Sequence, residues 1–74
     1  MQIKQRKFYK ARCGARVYVN FVDKSINPFT KKQYDYPVVG YIEHGGWGRW
    51  TGLGKFNKDH QNLYDLIVEV KDEQ

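Results

Sequence analysis

Seventy-four residues with a net charge of +5 leave room for one domain, 1–74, near the size at which a single core only just offsets the chain entropy lost on folding, about 1–2 kcal/mol per residue for the backbone. One cysteine, Cys13, excludes an internal disulfide, and with His44 and His60 as the other soft ligands no zinc quartet is spaced along the chain. No apolar run approaches the roughly 20 residues that cross a bilayer, and "MQIKQRKFYK" lacks the apolar centre of a signal peptide, so the expected setting is the cytoplasm, away from any membrane.

The elements follow in chain order. Residues 3–11, "IKQRKFYKA", are aromatic and β-branched enough for a first strand, and Arg12-Cys13-Gly14 supplies the turn into "ARVYVNFV", where Val17, Val19 and Phe21 alternate with Tyr18, Asn20 and Val22. Residues 23–37, "DKSINPFTKKQYDYP", are too polar and too broken by Asn-Pro for a helix, and a loop of this length in so small a domain is a candidate contact segment. "PVVGYIE" reads as the third strand, His44-Gly45-Gly46 as a hairpin turn and "WGRWT" as the fourth strand. Gly52 to Gly54 then turn the chain, and "NKDHQN" leads to a last strand, "YDLIVEV", with Leu66, Val68 and Val70 on one face. The expected fold is all-β, a strongly bent antiparallel sheet or small open barrel of four to six strands.

Charge is unevenly placed. Residues 1–37 carry nine Lys/Arg against Asp23 and Asp35, for +7, whereas residues 38–74 carry four against six acids, for −2. A field of this kind attracts a nucleic-acid backbone, a phosphorylated ligand or an acidic protein face.

No catalytic constellation is visible. The histidines, Cys13, Ser25 and the scattered acids form neither a nucleophile elbow nor a metal cluster, and "GGWGRWTGLG" lacks the Gly-Lys-Ser/Thr ending and the helix of a phosphate loop, so no enzymatic activity, metal or cofactor is expected. In "KFYKARCGARVYV" aromatic residues alternate with cations, as on surfaces where rings stack on bases and Arg or Lys meets phosphate. The same rings, Phe8, Tyr18, Phe21, Trp50 and Tyr64, equally suit a thin core. The two indoles separate by period: in an extended 47–51 segment Trp50 faces with Gly48 and Gly52, as a core ring against close backbone, while Trp47 and Arg49 share the opposite, open face. Arg12, Arg16, Trp47, Arg49 and Lys55 are therefore the candidate ligand-binding set.

The succession "FYKARCGARVYVNFVD", "YPVVGYI", "WTGLGKF", "YDLIVEV" resembles a widespread group of small proteins encoded by tailed bacteriophages, over about residues 8–70. Trp50, Thr51, Gly54, Lys55 and Phe56 match that group's Trp-Thr-x-x-Gly-Lys-Phe element, and Asp65 and Leu66 its terminal strand. Cys13 departs from it, standing where the group more often has Asp before Gly14. The resemblance implies a context, that of small proteins which act on the host, some of them blunting antiviral defence by binding a nuclease or sequestering a nucleotide signal. It implies no activity residue by residue.

The expected function is thus non-enzymatic binding in the service of counter-defence, with a phosphate-bearing nucleotide as ligand. The alternatives are an inhibitor docking on a host defence protein through the basic strand and the 24–36 loop, and a general nucleic-acid-binding module. A homodimer is also expected, because so short a chain with one thin sheet has little area to bury and its first and last strands are read as sheet edges that invite a second copy; a ligand site at the subunit boundary would then draw Arg16 from one chain and Trp47 from the other.

Overall fold

The computed structural model describes residues 1–71. Five strands, β1 (Lys7–Ala11), β2 (Arg16–Val22), β3 (Val38–Ile42), β4 (Gly46–Trp50) and β5 (Leu66–Val70), form one antiparallel sheet in the order β4-β3-β2-β1-β5. The sheet is not closed into a barrel, and its edges are β4 and β5. Among the described residues there is no helix, and so none long and apolar enough to cross a membrane.

A single sheet buries one face only if something covers it, and here irregular chain does so. Tyr9 and Ala11 of β1, Val17 and Val19 of β2, Val38 and Ile42 of β3, Trp50 of β4 and Leu66 of β5 line the buried face. Over them lie Ile3 from the chain's beginning and the 51–65 segment, a buckle that is tied down by backbone hydrogen bonds from Ile3 N to Gly52 O (3.0 Å) and from Leu66 N to Gly54 O (2.8 Å). Thr51 closes the first turn of this buckle: its N–H donates to Lys55 O (2.8 Å), and its Oγ1 accepts from Lys55 N (3.0 Å). Phe56 then meets Trp50 edge to face at 5.8 Å.

Two glycines exist to admit Trp50. A Cβ on Gly40 would lie 2.8 Å from the Tyr18 carbonyl oxygen and 3.2 Å from the indole, and one on Gly48 3.0 Å from the indole. At Gly52 a Cβ would meet nothing within 4 Å. Gly40→Ala is therefore expected to lower stability by about 1–3 kcal/mol, the usual cost of overpacking. Gly52→Ala should stay within about 0.5 kcal/mol of the wild type. Paired denaturant melts check both.

The strongest tether of the buckle is Asp65, the buried polar residue of the core region. Its carboxylate accepts from Phe56 N (2.9 Å) and Asn62 N (3.0 Å) and meets Arg12 Nη2 at 3.4 Å. Burial alone would raise the Asp65 carboxyl, but the two N–H groups and the guanidinium outweigh it and hold the group below the ordinary carboxylate range. With the folded value below the unfolded value of about 3.9, this carboxylate's contribution is fully present above about pH 5 and fades as pH falls through the folded value. Thermal melts taken down to about pH 2.5 should show stability dropping below about pH 4, and Asp65→Asn should flatten part of that drop while lowering stability at neutral pH.

Four expectations are corrected by this arrangement. The first strand starts at Lys7, because Arg6 takes a left-handed conformation (φ 63) and residues 1–5 turn away to place Ile3 over the core. Consequently β1 is interior, between β2 and β5, and of the two strands read as edges only β5 is one, the other edge being β4. Phe21 leaves the Val17/Val19 face because a bulge between Val19 and Phe21 shifts the register, so Phe21 is 52% exposed and Val22 turns toward the core. A second irregularity, between Lys10 and Ala11, parts Leu66 from Val68, which is 48% exposed. Of the rings weighed for the core only Trp50 is fully buried, and it is joined there by Tyr9.

Candidate functional site

The outer face of the sheet is built by the strand pairings. Tyr41 opposes Trp47 across β3 and β4, Tyr18 opposes Tyr41 across β2 and β3, and Phe8 opposes Tyr18 across β1 and β2. Four aromatic side chains thus stand in one row over four adjacent strands, a span of about 14 Å at about 4.8 Å per strand. Trp47 (64% exposed) and Tyr41 (47%) form its open end, edge to face at 5.4 Å, while Phe8 and Tyr18, half-buried, pack at 4.9 Å toward the centre of the sheet.

Cations flank the row. On one side Arg16 of β2 opposes Lys10 of β1. Arg16 is held in place by Glu43, whose carboxylate accepts from Nε (3.3 Å) and Nη2 (2.9 Å). The Arg16 hydrogen bonds hold Glu43 below the ordinary carboxylate range. Lys10 is exposed and makes no ion pair among the described residues. On the other side Arg49 of β4 opposes Val39, and Val39 opposes Phe21. The Arg49 guanidinium donates from Nη1 to Tyr36 O (3.0 Å), which orients it at the root of the 23–37 loop. It also lies close enough to Asp23 to help lower that carboxyl, after the larger effect of the hydrogen bonds from Ser25.

Of the five candidate residues, the structure brings Trp47, Arg49 and Arg16 onto one face of one chain. No second subunit is needed to unite Arg16 with Trp47. Arg12 and Lys55 are placed elsewhere. Arg12 lies beyond β1, where its Nε donates to Asn62 O (3.4 Å) and its Nη2 meets Asp65, and Lys55 lies in the turn that Thr51 closes. The Trp-Thr-x-x-Gly-Lys-Phe stretch is likewise structural here: Trp50 fills the core, Thr51 closes the turn, Gly54 holds a φ of +92 against Ile3 and Leu66, and Phe56 bonds Asp65.

Sequence reasoning missed Tyr41. Its signal was present, since in "PVVGYIE" the apolar Val38, Gly40 and Ile42 alternate with Val39, Tyr41 and Glu43, which leaves Tyr41 facing outward. That it aligns with Trp47 and Tyr18 depends on pairings no single strand encodes.

Chemically the face offers π-surfaces with cations on both sides. Among the described residues no group of three or more His, Cys, Asp or Glu is placed to hold a metal ion. No family model, curated protein or solved structure matches the chain.

Proposed function

We propose that the protein is a non-enzymatic binding module whose outer sheet face takes a short single-stranded stretch of nucleic acid, the bases stacking on the aromatic row and the phosphates meeting Lys10, Arg16 and Arg49. The observation that carries this reading is the row itself, four rings aligned over four strands on the face opposite the core. Stacking on exposed rings contributes about 1–3 kcal/mol per base and tolerates any sequence, because every base has a π-face. A flat, open row suits an extended strand better than a lone nucleotide, since small-ligand sites are concave and enclose most of their ligand. A nucleotide-sized ligand remains chemically compatible with the Trp47, Tyr41 and Arg49 end. A role in countering host defence rests on the phage resemblance and is served equally by masking a nucleic acid or by capturing a nucleotide signal.

Titration of the full chain with fluorescein-labelled decathymidylate and decauridylate, read by anisotropy, tests the proposal. Binding in the micromolar range is expected, with log K falling against log salt at a slope of about −2 for three neutralised phosphates at about −0.7 each. Arg49→Ala should weaken it about tenfold, a loss of about 1.4 kcal/mol. No anisotropy change with either oligomer refutes the reading.

A further inference from the structure

The 23–37 loop is not a slack connection. Asp23 N donates to Pro37 O (2.8 Å) at its root, Ile26 and Gln33 form an antiparallel bridge, and Asn27 N donates to Lys32 O (2.9 Å). At its tip the Asn27 side-chain oxygen accepts from Phe29 N (2.8 Å) and Thr30 N (3.3 Å), while Lys31, at φ 63, donates its N–H back to Asn27 O (2.8 Å). The root is bolted to the body by Arg49 on Tyr36 O and by Lys58, which pairs with Asp35 at 2.9 Å and donates its backbone N–H to the Tyr36 hydroxyl (3.0 Å).

This framework displays what a core has no use for. Phe29 is 92% exposed at the tip. Beside it lies a depression lined by Asn27, Thr30, Lys32, Gln33, Tyr34 and Asp35, polar side chains along one phenol ring. The loop's acids are engaged, Asp23 by Ser25 and Asp35 by Lys58, whereas Lys24, Lys31 and Lys32 are exposed and make no ion pair among the described residues. The loop leaves β2 at Val22 and enters β3 at Val38, which puts it at the end of the sheet where Arg49, Val39 and Phe21 line the outer face.

We infer that the loop is a second subsite for the same single strand, in which one base enters the polar depression with Phe29 and Tyr34 as stacking surfaces and Lys31 and Lys32 as phosphate contacts. The inference rests on the reading of the sheet face as a nucleic-acid platform and extends it. The amide of Gln33 and the hydroxyl of Thr30 line the depression with donors and acceptors of the kind that read base edges, so the loop adds a base preference to a platform whose ring faces are sequence-tolerant. Its preformed shape favours a ligand with fixed hydrogen-bonding edges, because little ordering entropy is lost when such a ligand docks. Two linked subsites also make affinity depend on strand length, since the second contact becomes intramolecular once the first is made.

Amide chemical-shift mapping of the full chain with tetrathymidylate, decathymidylate and decauridylate tests this. Both thymidylates should shift Tyr41 and Trp47, and only a decamer should also shift Phe29, Thr30 and Gln33. The Phe29→Ala/Lys32→Ala variant, altered only at exposed side chains and checked by thermal melt, should weaken the decamer about tenfold and the tetramer by less than about twofold. Decamers that move the sheet-face amides and leave the loop amides unshifted overturn the inference and leave the sheet-face reading standing, as does a variant that weakens both lengths equally. Loop shifts without sheet-face shifts, or no shifts at all, overturn both.

Discussion

Trp50→Ala is expected to cost about 3–5 kcal/mol, the usual loss for removing a buried aromatic side chain. In a domain of this size total stability is roughly 4–11 kcal/mol, so the variant should be largely unfolded at 37 °C or melt some 15–30 °C lower. The reason is local. Trp50 is fully buried, Gly40 and Gly48 are shaped to its ring, Phe56 packs on it, and its indole N–H donates to Tyr64 O at 2.8 Å. Removing it empties the space between the sheet and the buckle and leaves that carbonyl unpaired. Trp50→Phe, which keeps most of the ring and forfeits the hydrogen bond, should cost less, and differential scanning calorimetry of the two variants separates cavity from hydrogen bond.

The matching experiment on the other face has the opposite signature. Tyr41→Ala/Trp47→Ala removes two exposed rings whose mutual contact, a cross-strand pair, contributes about 0.2–1 kcal/mol to the fold. The melting temperature should barely move. Binding of decathymidylate should fall by at least about 30-fold, because each ring is expected to contribute 1 kcal/mol or more of stacking. The two tryptophans, three residues apart, thus divide between stability and recognition, and the pair of measurements tests that division directly.

Much of this division was readable in the chain. Period-two alternation alone put Trp50 inward with Gly48 and left Trp47 and Arg49 outward, and the polar, Asn-Pro-broken run at 23–37 marked the long loop. What was not readable is non-local. Phe21 sits on the outer face because a bulge at Val19/Phe21 re-registers β2 against β3, and nothing in "VYVNFV" announces a bulge. Tyr9 was chosen over Phe8 for the core by the pairing of β1 with both β2 and β5, a choice on which "KFYK", aromatic at both central positions, is silent. Arg12 looked like a free cation and instead meets Asp65, fifty-three residues away. The aromatic row is the extreme case, since its four members come from four strands and become a row only through three separate registers.

On the proposed function, the exposed end of this row meets nucleic acid and is not the interface of the homodimer that the chain's small size suggested. Trp47 emission measures it most directly. Trp50 is buried and should emit to the blue, Trp47 is exposed and should emit to the red, and Trp47→Phe identifies the red component by its loss. Added decathymidylate should quench the red component saturably, at a protein concentration where light scattering reports a single chain, and leave the blue component unchanged. A red component that is unaffected by the oligomer, or that shifts to the blue as protein concentration alone is raised, would show the face to be either inert toward nucleic acid or covered by a second copy, and would overturn the proposed function.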